Sequence, residues 1–369
     1  MNVTLVLRAI IFCAKITSTW PSNFDSNFSV RIFKNFQWFV SLLNAIGLFI
    51  PLLLGAYHYR NESVKLMKVL SETTALTIIL FNFILCKWQE NNLRVLLAEV
   101  ISFVKTVKGD NEIILHNWVN RYLSMWIFGV VLFAQAAIFF SFGPFVTSDL
   151  LPATSWYPFE IKPFRKRHYF IFIQQVIAIF QTGLGITTDI TISFLLCYLS
   201  AKLEILDVQI KSSRELEELN YCINEHENCI RFFKLLTHTA RFMLLKSNLL
   251  MAMTIIFGAI PLISREPLTE SLQFILIVTT SYLRIYMMAW PADDVREMSQ
   301  KIAWSIYDSS WVGSSTKIQK SVAFVICRAH KPFIISIPGL LPPLTLQFYS
   351  SFVSATLSYF ATLRAVLGK

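Results

Sequence analysis

Apolar residues gather along the chain into long runs, with charged residues collected between them. A window of about 19 residues, the length that crosses a bilayer as a helix, finds seven runs, at 36–57, 67–86, 122–146, 169–199, 241–263, 269–290 and 341–363. A soluble surface helix is apolar on one stripe only, whereas these runs are apolar around most of their circumference, as lipid demands. The fourth is longer than a bilayer needs and is expected to project beyond it. An odd number of spans puts the two ends of the chain on opposite sides.

The last run is different in kind. At 100° per residue, Gln347, Ser351, Ser354, Ser358, Thr362 and Ala365 fall within roughly 80° of one another. Phe348, Phe352, Val353, Leu357, Phe360 and Leu363 take the other side. Each unpaired polar group costs free energy in hydrocarbon, so a lipid-facing helix has no reason to segregate hydroxyls and an amide. Two readings stay open: the wall of an aqueous pore, or a tight helix contact in which Ser and Thr bond back to their own backbone. Ahead of this run, residues 317–329 repeat apolar side chains at Ile318, Val322, Val325, Ile326 and Ala329. That segment is too short to cross a membrane, and Lys331-Pro332 and Ile337-Pro338-Gly339 interrupt the chain after it. The pattern predicts an amphipathic helix outside the membrane that feeds the last span.

Composition agrees with the pattern. Mean hydropathy is +0.53, 54% of residues are hydrophobic and 32 of 369 are Phe, above the usual soluble range of about 45–50% apolar. The chain reads as an all-α polytopic membrane protein. Its net charge of +10 is scattered through loops without a clustered stripe, which suits loop charge or anionic lipid headgroups and not nucleic acid. Orientation is not decided by charge. An inner N-terminus places more Lys and Arg in cytoplasmic segments by total, but Lys162, Arg165, Lys166 and Arg167 crowd the short outer segment before the fourth span. The sequon Asn61-Glu62-Ser63 then lies outside, while Asn2-Val3-Thr4 and Asn27-Phe28-Ser29 lie inside. Residues 3–14 are apolar but interrupted by Arg8, with no small-residue cleavage site following, so the first span is expected to serve as the insertion signal.

Chemistry-bearing motifs are sparse. There is no HExxH, no phosphate-cradling glycine loop and no GxSxG, and the six histidines are dispersed, which argues against an enzyme and against a cofactor. The six cysteines, Cys13, Cys86, Cys197, Cys222, Cys229 and Cys327, all fall at inner span ends or in cytoplasmic segments, as structural thiols in a reducing compartment would. Cys222, His226 and Cys229 lack a second ligand pair at finger-like spacing, so a solvated helix is expected there and not a metal site. Charges in or near the spans are Lys68, Glu72, Asp189, Lys246 and Arg284. Asp189 is expected to line an aqueous cavity or to pair with a basic neighbour, and Lys246 and Arg284 to snorkel from the inner ends of their spans.

Several segments together resemble the insect odorant receptors. Trp156-Tyr157-Pro158-Phe159 looks like that family's outer-loop signature, and Tyr198-Leu199 with Lys202-Leu203-Glu204-Ile205-Leu206 looks like its fourth-span exit. Met298-Ser299-Gln300 through Tyr307 and Trp311 is similar to its third inner loop. The C-terminal stretch is the most specific: Arg328-Ala329-His330-Lys331-Pro332 leads to Ser358-Tyr359-Phe360-Ala361-Thr362-Leu363-Arg364. The sister gustatory receptors usually end with Thr-Tyr and a downstream Gln-Phe pair, neither of which occurs here.

The resemblance implies a subunit of a ligand-gated, non-selective cation channel: seven transmembrane helices, N-terminus cytoplasmic, C-terminus extracellular, four subunits around a central pore. It also implies multi-pass insertion in the cell membrane of sensory-neuron dendrites. Residues 1–290 would form the ligand-sensing region and 291–340 a cytoplasmic anchor containing helix 317–329. Residues 341–369 would supply the pore-lining helix, with Gln347, Ser351, Ser354, Ser358, Thr362, Ala365 and Val366 on the pore and Thr362 and Val366 at the gate. A family gate is normally apolar, so Thr362 is a departure that partner subunits would offset. The segment 200–240 is too short for the insertion of the shared co-receptor subunit, which makes this chain resemble a ligand-tuning subunit whose partner, in a heterotetramer, is the odorant receptor co-receptor.

In that family the odorant sits among the outer halves of spans two, three, four and six. The residues this places there are Thr73 and Thr77, then Gln135, Ala136, Phe139 and Phe140, then Phe172, Gln175, Val176 and Ile179, then Phe274, Ile277, Val278 and Ser281. A volatile offers apolar area and at most a carbonyl or hydroxyl, so aromatic walls with a few polar points suit it. Gln135 and Gln175 are the sharper candidates, because a buried amide needs a partner, either a ligand oxygen or another helix. Ligand is expected to favour the open arrangement, move the last span outward and widen the ring at Thr362 and Val366, with weak discrimination among monovalent cations. A G-protein-coupled receptor also has seven spans, but the chain has no Asp-Arg-Tyr, no Asn-Pro-x-x-Tyr and no outer cysteine pair. A secondary transporter should show two similar halves with broken helices, and no such repeat is found.

Overall fold

The computed structural model describes residues 3–21, 28–145, 150–161, 163, 165–213, 216–263, 268–309, 311, 313 and 315–367, without the side chains of 216, 268–270, 317–318 and 366–367. The order is α1 (Val3–Ile16), α2 (Phe28–His58), α3 (Ser63–Trp88), α4 (Glu90–Thr106), α5 (Asp110–Phe142), α6 (Lys166–Leu184), α7 (Ile186–Ser212), α8 (Leu216–Ile263), α9 (Leu268–Tyr307), α10 (Thr316–Ala329) and α11 (Leu346–Leu367). The described residues are all-α, apart from one isolated bridge between Ile337 and Leu341.

Six stretches are helical, long and apolar enough to cross a membrane: α2, α3, α5, α6 continued by α7, α8 and α9. They match the first six expected spans. The seventh, α11, is 22 residues long, and the hydroxyls and amide of its polar stripe dilute its apolar content. Exposed apolar side chains recur at helical spacing on the outward faces, as at Phe36, Phe39, Leu43 and Ile50 on α2 and at Phe170, Ile173, Ile177 and Phe180 on α6. A continuous belt of this kind belongs in lipid.

Several helices are much longer than the bilayer. Helix α8 has 48 residues, about 72 Å at 1.5 Å per residue, against a hydrocarbon core of about 30 Å. The excess projects from one end of the bundle, the anchor end, where α5, α7, α8 and α9 pack with α1, α4 and α10 around a large shared core. The opposite, loop end carries residues 59–62, 143–145 and 150–161. Helix α7 runs through the centre and is buried on every face from Ile186 to Ala201, which is why its sequence shows no amphipathic stripe.

Four features differ from the sequence pattern. The fourth span breaks between α6 and α7 at Gly185, whose N–H bonds Thr182 O at 3.1 Å in a tightened turn. A Cβ at that position would lie 3.1 Å from Ile79 Cδ1, so the close approach of α3 selects glycine. The last helix begins at Leu346 and not at 341, because Pro342 and Pro343 hold the preceding chain extended. Thr345 then caps the helix, its Oγ1 accepting the Phe348 N–H at 3.1 Å. The boundary expected at 290 falls inside α9, which continues through Pro291. Helices α1 and α4 were not expected at all. Both are short and amphipathic, and bury Val6, Leu7, Ile10, Leu96, Leu97 and Val100 in the anchor core.

Candidate cavity, its loop roof and the polar face of the last helix

Within the loop-end half of the bundle, α2, α3, α5, α6, α8 and α9 enclose a cavity of about 110 Å³. Its walls are Leu48 and Leu52, Ala75, Leu76 and Ile78, Phe133, Ala136, Ala137 and Phe140, Ile179, Thr182 and Gly183, Thr254, and Ile277, Thr280, Ser281 and Arg284, with Glu72 and Ala153 at the mouth. An apolar cavity of comparable size, about 150 Å³, takes up benzene. The hydroxyls that reach the wall are already used as donors: Thr182 to Ala178 O, Thr280 and Ser281 to Ile277 O, Thr254 to Leu250 O. The surface left for a ligand is therefore mainly hydrocarbon.

The loop between α5 and α6 roofs this cavity and is clasped from three helices. Gln175 Oε1 accepts the Ala153 N–H at 3.0 Å, and Gln175 Nε2 donates to Ser155 Oγ at 2.8 Å and to the Tyr157 hydroxyl at 3.2 Å. The Glu72 carboxylate accepts from Thr154 N at 2.8 Å and Thr154 Oγ1 at 2.9 Å. From α2, Pro51 O accepts the Trp156 N–H at 3.1 Å, and His58 stacks on the Trp156 ring at 4.9 Å. The loop backbone approaches Gly55 so closely that a Cβ there would sit 3.2 Å from Thr154 O. Burial lifts the Tyr157 phenol above its usual range, so it bonds as a neutral group. Beyond the loop lies a vestibule of about 970 Å³ lined in part by Tyr59, Lys65, Lys68, Phe159, Gln273 and Phe274. Glu72 and Ala153 line both spaces, so the loop is the partition between them.

Buried charge closes the cavity's far end. Arg284, 4% exposed, donates from Nε to Asp189 Oδ2 at 2.5 Å, and Asp189 is 2% exposed. Lys246, 9% exposed, donates to Asn82 Oδ1 and to Ile78 O. The expectation that both cations snorkel is corrected: both are buried, and partners from α7 and α3 replace water. Of the two roles expected for Asp189, the structure shows pairing with a basic neighbour.

Of the residues nominated for the ligand site, the cavity brings together Ala136, Phe140, Ile179, Ile277 and Ser281. Gln175 is buried but holds the loop roof. Thr73 and Thr77 return their hydroxyls to Val69 O and Thr73 O of their own helix, both at 2.6 Å. Gln135 and Phe139 are exposed on the outward face of α5. Phe172 packs edge-on to Phe145 at 5.9 Å, Val176 lines a separate groove with Phe83 and Phe180, and Phe274 lines the vestibule. Val278 packs against Gly258, where a Cβ would meet its Cγ2 at 3.1 Å. Gln135 and Phe139 lie off the cavity because span length does not set helix rotation. Sequence reasoning missed Leu48, Leu52 and Thr254 for want of any signal, whereas Arg284 was visible as an intramembrane charge.

On α11, Gln347, Ser351, Ser354, Ser358, Thr362 and Ala365 are all exposed. Phe348, Tyr349 and Phe352 pack toward the core, and Tyr282 shares a 2.7 Å hydrogen bond with Thr356. The polar stripe thus points away from the chain's own bundle, although Leu357 is also exposed. The side chain of Val366 lies outside those described.

Among proteins of known structure, the fold matches the insect olfactory receptor OR5 from Machilis hrabei, with a TM-score of 0.82 at 14% identity over 98% of both chains. It matches the same receptor in complex with eugenol, with a TM-score of 0.83 at 15% identity over 99% of this chain and 98% of that one. In sequence, the chain is 30% identical to Odorant receptor 10 of Aedes albopictus over 177 residues, 43% of this chain and 47% of that protein. It is 25% identical to Odorant receptor 67c of Drosophila melanogaster over 170 residues, 45% of this chain and 41% of that one. The matched segments span less than half of either relative. The family model for the 7tm odorant receptors matches residues 61–357. That match covers most of the chain, including the loop roof, the cavity walls other than Leu48 and Leu52, and about half of the last helix, and the chain belongs to the insect odorant receptor family: multi-pass membrane receptors of olfaction, not enzymes.

Proposed function

We propose that this protein is the odorant-tuned subunit of a ligand-gated, non-selective cation channel, and that the roofed apolar cavity is its odorant site. The observation that carries the reading is the cavity itself: hydrocarbon walls drawn from six helices, behind a clasped loop that parts it from a wide vestibule. Such a site suits a small ligand with much apolar surface and little polarity. A receptor of the same fold binds eugenol, a ligand of that kind.

The loop end faces outward and the anchor end inward, so the N-terminus is cytoplasmic and the C-terminus extracellular. The exposed polar stripe of α11 faces a pore shared among four subunits, with Thr362 and Val366 at its constriction. Phe324 on α10, 77% exposed, supports the anchor's role as a contact between subunits. The short connection between α7 and α8 fits a tuning subunit, whose partner is the odorant receptor co-receptor in the dendritic membrane. Ligand acts by binding the open arrangement more tightly than the closed one.

Cysteines placed singly at Ser354, Ser358 and Thr362, in a Cys327→Ser background, test the pore assignment. With the co-receptor present, a bulky thiol reagent should block ligand-evoked current at each site. Unhindered current through a labelled, surface-expressed complex removes α11 from the pore.

A further inference from the structure

The guanidinium at the cavity's far end retains unused hydrogen-bonding capacity. Arg284 lines the cavity and spends Nε on Asp189, with its guanidinium carbon 5.6 Å from the centre of the Phe133 ring. Its Nη2 meets no hydrogen-bond partner among the described residues, and no other buried side-chain nitrogen or oxygen among the described lining residues is in that position. Nη2 is itself fully covered, and a buried N–H on a charged group is costly to leave without an acceptor, so a ligand oxygen in the cavity, met by a small turn of the guanidinium, gains more here than at any wall hydroxyl already bonded. Asp189 pairs with Arg284, Lys246, itself outside the lining, lies near both but is bonded to Asn82 and Ile78 O, and Glu72 adds a second carboxylate to the lining. A carboxylate ligand would compete with the first and face the second, whereas a neutral oxygen needs only the donor.

We propose that the cavity selects volatiles bearing a neutral carbonyl oxygen (ketones, aldehydes or esters), which accepts a hydrogen bond from Arg284 Nη2 while the hydrocarbon part fills the apolar walls. This rests on the reading of the cavity as the ligand site and adds the chemical class that it takes. Asp189 acts as a positioning residue, holding the guanidinium by Nε so that Nη2 is left for the ligand.

The test is binding to the full chain in lipid nanodiscs, read as ligand-dependent rise in unfolding temperature for a 2-ketone, an alkane and a carboxylate of equal chain length. The ketone should half-saturate at a concentration at least about tenfold below the alkane and the carboxylate, a difference of about 1.4 kcal/mol. Arg284→Lys, which keeps a cation opposite Asp189 but has no Nη2, should bring the ketone's value toward the alkane's. Ile277→Phe, which fills the cavity, should weaken ketone and alkane together. Equal ketone and alkane binding in the wild-type chain, tightest binding of the carboxylate, no binding of any of the three, or a ketone advantage that survives Arg284→Lys would each overturn the proposal, and the first three need no variant to fold. Current recorded in parallel separates this from the receptor reading. Ligand-evoked current with no ketone advantage sinks the carbonyl assignment alone. Ketone-selective binding without current upholds it and sinks the channel.

Discussion

Asp189 illustrates how one buried residue acts through its neighbours. It lies on the central helix among side chains that are all buried, and among the described residues its ion-pair partner is Arg284. Removing one member of a buried pair leaves the other charge without compensation, at a cost of about 3–5 kcal/mol, whereas replacing both is often close to neutral. Asp189→Asn is therefore expected to lower the unfolding temperature of the purified chain and its surface level, and Asp189→Asn with Arg284→Gln to recover most of both. A double variant no more stable than the single would show that the pair does not carry the cost. In sequence, Asp189 and Arg284 were legible as intramembrane charges, but their pairing was not, because 95 positions separate them.

At the scale of elements, the loop roof couples α2, α3 and α6, and Gln175 is its most connected tie. The sequence reading was sound in holding that a buried amide in this helix needs partners. The partners are a loop N–H, a serine and a tyrosine, groups that no periodicity could bring together across some 20 residues. Gln175→Leu strands the buried Ala153 N–H, at about 1–3 kcal/mol, and frees the partition between vestibule and cavity. Limited proteolysis should then cut within 150–161 at least several-fold faster than in the wild-type chain, and responses should decay faster after ligand washout. Unchanged cleavage would mean that Glu72 and Pro51 hold the loop without it. The first six spans were readable as to place, since lipid imposes length and hydropathy directly, although their helices run well past them, as α8 does from Leu216. Helices α1 and α4 were not, because short amphipathic helices in a protein core carry no such constraint.

For the whole molecule, the anchor and the polar face of α11 bear on assembly. Helices α5 and α9 are tied at the anchor end by Arg121 to Asp294 at 2.9 Å and by the Tyr122 hydroxyl to the same carboxylate. The chain leading to α11 joins this body where Ser299 Oγ accepts the Phe333 N–H at 2.9 Å. With its own bundle behind it and neutral hydroxyls in front, the stripe of α11 presents dipoles and no fixed charge, Arg364 lying off it. A pore of that lining solvates cations with little discrimination, so reversal potentials of ligand-evoked current should shift only slightly when sodium replaces potassium. A sharp potassium preference or an anion current would contradict that lining.

The sequence by itself determined the membrane class, the place of six apolar spans, the segregated stripe on the last helix and the family likeness, because each follows from local hydropathy, spacing or a contiguous motif. Tertiary structure alone decided which residues meet. It turned Gln135 and Phe139 outward, gave Gln175 to the loop, and set Arg284 against Asp189 at the end of a small apolar cavity. Helix rotation and loop placement come from packing between distant segments, and no local pattern encodes that.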